Sequence, residues 1–189
     1  MESKKIMIVG VGGQGTLLAS KLLGQMFLSK GLDVKVSEVH GMSQRGGSVV
    51  TYVSCGEKVY SPVIDKGEAD FIVSFELLEA ARNLEFLKEG GVLLTNTQKI
   101  SPMPVITGAA AYPENIAEKI AAAGVKIDAF DALLPAKASG SARSVNLVML
   151  GRLSKYLDFS EEEWMQAMDE KIPEKIRESC KKAFCLGRG

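Results

Sequence analysis

The sequence is poor in the residues that build metal and redox centres. It has one histidine, His40, and three cysteines, Cys55, Cys180 and Cys185, none in CxxC spacing. An odd, scattered set of thiols excludes a disulfide framework. It also falls short of the four thiolates an iron–sulfur cluster usually takes. No metal site is expected, and the thiols read as buried side chains. Charge of one sign is missing too. Lys plus Arg and Asp plus Glu both number 23, and without a basic excess there is little to neutralise nucleic-acid phosphates. No apolar run reaches the roughly 18 residues of a membrane-spanning helix. The opening MESKK followed by IMIVG is too short for a secretion signal, so a cytoplasmic protein is expected.

What is present fits one α/β domain over residues 1–189. Hydrophobic residues make up 46% and charged residues 24%, ordinary values for a globular chain. KKIMIVG, residues 4–10, reads as a fully buried strand. TLLASKLLGQMFLSKG follows as a helix, with Leu17, Leu18, Leu22 and Met26 at helical spacing and Gly31 as its cap. DVKVSEV is a second strand, and VVTYVSCGEKVYSP reads as a hairpin turning near Cys55 and Gly56. ADFIVSF is a strand and ELLEAARNLEFLKEG a helix ending at Gly90. GGVLLTNT and MPVIT follow as strands, YPENIAEKIAAAG as a helix and VKIDAFDA as a strand. SARSVNLVMLGRLSKYL is a helix apolar on most sides, preceded by KASGSA, read as a plain loop with a mobile segment or an interface as the alternatives. SEEEWMQAMDEK opens with a capping box at Ser160 and Glu163. Trp164 belongs to the core, and a last helix spans about 173–184. This order predicts a three-layer α/β/α fold with a mostly parallel, Rossmann-like sheet plus a hairpin.

Two glycine-rich loops stand out. GVGGQG, residues 10–15, fits G-x-G-x-x-G between a strand and a helix, and Glu38 lies 23 residues after Gly15, where an acid that binds a ribose hydroxyl is expected. Such glycines let backbone N–H groups approach an anion at a helix N-terminus. A nucleotide-binding turn and a plain tight turn both remain open. The second loop, EVHGMSQRGGSV, joins two strand-like runs. As a parallel βαβ unit, strands one and two are expected side by side, so the two loops should be neighbours at one carboxyl edge, where open α/β sheets bind ligands. Gln14, Ser43, Gln44 and Arg45 then supply donors, and Gly46 and Gly47 supply N–H groups as anion-binding nests do. Arg45 is the fixed cation of the cluster, suited to a phosphate or carboxylate. His40 either donates a hydrogen bond or caps the loop. Weaker candidates are Glu76 as a helix cap, Asn96 as a turn residue, and Arg143 with Asn146 at the start of the apolar helix. No Tyr-x-x-x-Lys or catalytic Cys follows, so an NAD(P)-binding Rossmann dehydrogenase and a non-catalytic nucleotide-binding module are alternatives rather than the first reading.

GVGGQGTLLASKLLG, SEVHGMSQRGGSVV, VYSPVIDKGEADFIVSFELLEAAR and ARSVNLVMLG together resemble the small (beta, gamma-type) subunits of indolepyruvate ferredoxin oxidoreductases. More broadly, the chain is similar to the gamma subunits of 2-oxoacid:ferredoxin oxidoreductases, from about residue 4 to 186. SEVHGMSQRGGSV is the specific part. The resemblance implies a multi-subunit enzyme converting an aryl 2-oxoacid, coenzyme A and oxidised ferredoxin into acyl-CoA, carbon dioxide and reduced ferredoxin. Thiamine diphosphate with magnesium, iron–sulfur clusters and coenzyme A then belong mainly to partner chains. No cofactor is expected on this chain alone, and no catalytic residue. The partners implied are a large (alpha) subunit and, through the complex, ferredoxin; an isolated chain is a possible homodimer. Gly12, Gly13, Gln14, Gly15, His40, Ser43, Gln44, Arg45, Gly46 and Gly47 are the expected cofactor-binding or subunit-interface residues.

Overall fold

A computed structural model describes residues 2–41 and 47–189. Among these residues, six strands form one sheet in the order β2-β3-β1-β4-β5-β6. The strands are β1 (Lys4–Val11), β2 (Asp33–His40), β3 (Ser48–Gly56), β4 (Ala69–Ser74), β5 (Leu87–Asn96) and β6 (Lys126–Phe130). β1, β4, β5 and β6 run parallel. β3 is antiparallel to both its neighbours, β1 and β2.

The central strands read as unbroken apolar runs because both sheet faces are covered. Successive side chains alternate between the two faces. Ile6, Ile8, Phe71, Val73, Val92 and Leu94 therefore join one core. Met7, Val9, Ile72 and Leu93 join the other. Helices α1 (Thr16–Ser29), α6 (Val145–Ser154), α7 (Glu161–Lys171) and α8 (Glu174–Arg188) cover the first face. Helices α2 (Leu77–Arg82) and α4 (Ile116–Ala122) cover the second. The three-layer fold is as expected.

α6 is apolar on most sides because most of it is buried, with Arg152 as the part-exposed residue that pairs with Asp128. It meets α8 backbone to backbone: a Cβ on Gly151 would lie 2.1 Å from the Phe184 carbonyl oxygen, and one on Gly187 would lie 2.0 Å from that of Val148. The capping box forms as read, with the Glu163 N–H donating to Ser160 Oγ and the Ser160 N–H donating to Glu163 Oε2. Trp164 is fully buried.

Several expectations fail for tertiary reasons. β3 does not turn back at Cys55 and Gly56. It ends at Gly56, and residues 57–68 return without a strand. The hairpin is instead formed by β2 and β3. β1 and β2 are consequently not neighbours, since β3 lies between them. The helix expected to reach Gly90 stops at Arg82, because Leu87 already pairs with Ala69 across the β4–β5 ladder; pairing overrides propensity there. MPVIT is a single helical turn, α3 (Met103–Ile106), started by prolines whose missing N–H groups are not needed at a first turn. Part of the expected KASGSA loop is helical, within α5 (Leu133–Ala138). No described helix is long and apolar enough to cross a membrane.

Candidate functional site

The parallel strands end at one edge, and the first glycine loop lies there between β1 and α1. Its glycines have separate jobs. Gly15 caps α1 with φ of 82°, a conformation that glycine adopts without strain. A Cβ on Gly15 would also lie 2.6 Å from Asn146 Nδ2. That amide donates to the Gly15 carbonyl at 3.1 Å, tying α6 to the loop. Gly13 has φ of 99° and faces open space.

Gln14 was expected as a ligand donor, but both ends of its amide are engaged inside the fold. Its Oε1 accepts the Val11 N–H at 2.7 Å, and its Nε2 donates to the Phe75 carbonyl at 3.0 Å. Asn96, expected in a turn, is fully buried and donates to the same Phe75 carbonyl at 3.1 Å. Asn96 Oδ1 accepts the Ala132 N–H at 3.1 Å. These two amides lock the ends of β1, β4 and β5 together and leave the edge stiff.

The two loops do meet, although not through adjacent strands. The Gly12 N–H donates to the Gly47 carbonyl at 2.9 Å. This bond corrects one expectation, since that Gly12 donor is used within the fold. β3 starts at this edge, which brings Gly47 beside the first loop despite the separation of β1 from β2. Ser43, Gln44, Arg45 and Gly46 lie outside the described residues.

A cleft of about 390 Å³ opens here, lined among the described residues by Gly12, Gly13, Thr16, Glu38, His40 and Val49, with Gly15 and Leu17 at its side. Glu38 forms the acidic part of its floor. Its Oε2 accepts the Thr16 hydroxyl at 3.1 Å and the Thr51 hydroxyl at 3.4 Å. Thr16 is the first residue of α1, so a carboxylate already stands at the positive end of that helix. No Lys or Arg is among the described lining residues. The exposed His40 ring sits with Nδ1 3.2 Å from the Gly41 carbonyl.

The same geometry argues against a dinucleotide. In that fold the ribose-binding acid ends a strand beside β1. Here β3 occupies that place, and hydroxyls of the fold engage the carboxylate.

Further along the edge lies a carboxylate the sequence showed only as a helix cap. Glu76, 1% exposed, caps α2 by accepting the Glu79 N–H at 2.9 Å. Its other oxygen accepts the Ile100 N–H at 3.0 Å and the Tyr112 hydroxyl at 2.5 Å. Burial, together with the bond to Glu76, raises the Tyr112 hydroxyl pKa well above its ordinary value. Glu79 is also buried and accepts from Ser48 Oγ at 2.5 Å and Arg82 at 2.7 Å. No sequence pattern marked Glu79, because its partners are distant in the chain or on its own helix turn.

The thiols do not fit a cluster. Cys55 is buried on β3, while Cys180 is buried and Cys185 exposed on α8. Burial pushes the Cys55 thiol up to about 11, away from the thiolate a metal needs. Among the described residues no three His, Cys, Asp or Glu side chains converge as ligands.

Residues 5–189 match the family model described as pyruvate ferredoxin/flavodoxin oxidoreductase. The chain is 43% identical to an indolepyruvate oxidoreductase subunit IorB of Thermococcus kodakarensis, over 99% of this chain and 95% of that one. It is 32% identical to a ketoisovalerate oxidoreductase subunit VorA of Methanothermobacter marburgensis, where 78% of this chain lies on 27% of the longer one. Its fold matches the crystal structure of a keto/oxoacid ferredoxin oxidoreductase gamma subunit from Geobacter sulfurreducens, with a TM-score of 0.71, 24% identity and coverage of 97% and 95% of the two chains. The chain belongs to the pyruvate ferredoxin/flavodoxin oxidoreductase family.

Proposed function

We propose that this chain is the small subunit of a thiamine diphosphate-dependent 2-oxoacid:ferredoxin oxidoreductase acting on indolepyruvate or a related aryl pyruvate. The carrying observation is the 43% identity, over nearly the full length of both chains, with an indolepyruvate oxidoreductase subunit. The complex would take the 2-oxoacid, coenzyme A and two oxidised ferredoxins to acyl-CoA, carbon dioxide, a proton and two reduced ferredoxins. Thiamine diphosphate, magnesium and the clusters would reside on partner chains. The scattered thiols support that division for the clusters.

This chain's own contribution is then structural and positional. The carboxyl edge bearing Gly12, Gly13, His40 and Gly47 faces the large subunit. The edge is held stiff by Gln14, Asn96 and Asn146, which favours a fixed surface over an adaptable one. Alone the chain is inactive.

Co-expression with the cognate large subunit tests this, followed by anaerobic assay of coenzyme A-dependent dye reduction with indolepyruvate. Activity with both chains and none with either alone is expected. Full activity of the large subunit by itself, or no association between the two, overturns the reading.

A further inference from the structure

Residues 100–113, ISPMPVITGAAAYP, contain no charged side chain, in a protein where 24% of residues are charged. Isolated exposed apolar residues need no explanation, but a continuous apolar surface does. Met103 and Ile106 are each 66% exposed, and residues 109–111 are exposed as well. The segment follows β5, at the same carboxyl edge as the glycine loop and two strands away from it. Leu134, 65% exposed, follows the next strand on α5.

The segment is also held in shape. Its two ends converge on one buried carboxylate, since Glu76 accepts from both the Ile100 N–H and the Tyr112 hydroxyl. The Leu77 N–H donates to the Gln98 carbonyl at 3.0 Å, and the Ala110 N–H to the Pro104 carbonyl at 3.0 Å. The Thr107 hydroxyl donates back to the Met103 carbonyl at 3.0 Å, closing the turn of α3. A surface that already has its bound shape loses less entropy on docking. Depletion of charge and presentation of methionine are also what the core of a protein interface requires.

We propose that residues 100–113 are a preformed docking surface for the large subunit of the oxidoreductase complex, with Met103 and Ile106 as its anchors. The identity of the occupant rests on the function proposed above. It also rests on the ketoisovalerate relative, in which the matching unit is part of a much longer chain. There, the neighbouring polypeptide is covalently attached. In the Thermococcus kodakarensis relative, by contrast, the matching unit is 95% of the chain, and surface contacts must hold such a neighbour. The absence of Lys and Arg from the segment disfavours an anionic membrane as the occupant.

The test measures binding of the intact chain to the cognate large subunit for the wild type, for Met103→Glu combined with Ile106→Glu, and for Tyr60→Glu. Tyr60 is 85% exposed beyond the end of β3, at the opposite edge of the sheet, and serves as the control. The double variant is expected to bind about 100-fold more weakly or not at all, with circular dichroism and Tm unchanged, while Tyr60→Glu binds as the wild type does. Equal binding by all three overturns the docking surface and leaves the subunit reading intact. A wild-type chain that does not bind the large subunit overturns the subunit reading, and the docking surface with it. Loss of a homodimer in the double variant, with large-subunit binding unchanged, assigns the surface to a second copy and also overturns the proposal.

Discussion

The two halves of the carboxyl edge use carboxylates in opposite ways. At the β1–β3 end, Glu38 is half-buried, accepts two hydroxyls and keeps one flank in an open cleft. At the β4–β5 end, Glu76 is sealed in and binds three donors, among them two from a segment more than twenty residues away in sequence. The first carboxylate gives a surface its charge. The second holds an uncharged surface in place. Solvent separates the two roles: a carboxylate that water can reach loses little when a partner goes, whereas a buried one leaves orphaned donors behind.

Paired substitutions sharpen that contrast. Glu76→Ala strands the Glu79 N–H, the Ile100 N–H and the Tyr112 hydroxyl, and is expected to cost about 3 kcal/mol, or about 9 °C in Tm. Glu38→Ala should cost about 1 kcal/mol, because water in the cleft can replace the acceptor for Thr16 and the bond from buried Thr51 is long at 3.4 Å. Thermal unfolding followed by circular dichroism measures both. Equal losses would break the comparison.

Within the glycine loop, Gly15→Ala meets both a left-handed φ and the Asn146 amide at 2.6 Å, and about 2 kcal/mol of destabilisation is expected. Gly13→Ala meets only the φ and should cost about half as much. Denaturant midpoints of the two variants report the difference. If Gly13→Ala proves the more damaging, the Asn146 contact is not what demands glycine at position 15.

The smallest effect concerns pH. The Tyr112 hydroxyl has a raised pKa in the folded protein, while an unfolded tyrosine ionises near about 10. The contribution is complete below about pH 10 and is lost as pH rises through the folded value, because the unfolded chain releases the proton first. Between about pH 9 and 11 the wild type should therefore lose slightly more stability than Tyr112→Phe, by under about 1 kcal/mol. Urea midpoints at the two pH values test this, and parallel curves would mean that Tyr112 does not hold its proton for Glu76.

Much of the layered fold was legible because its signals are local. The run IMIV is apolar on every residue, as a strand covered on both faces must be. Ser160 with Glu163 and the left-handed Gly31 mark helix ends through bonds spanning only a few residues. The glycine loop was legible for the same reason, and its position at the sheet edge followed from the strand before it and the helix after it. The partners of its side chains were not legible. Gln14 reaches Phe75 and Asn146 reaches Gly15 across 61 and 131 residues, separations that no motif spacing encodes.

By itself, then, the amino-acid order determined an α/β domain with a glycine turn at a strand end, because periodicity and capping act between near neighbours in the chain. Tertiary structure alone decided that β3 enters between β1 and β2. It also decided that Gly12 bonds to Gly47, and that one buried glutamate fastens residues 100 and 112. Strand order and the satisfaction of buried carboxylates are settled by which distant surfaces pack best together, and that choice is made only when the whole chain is in place.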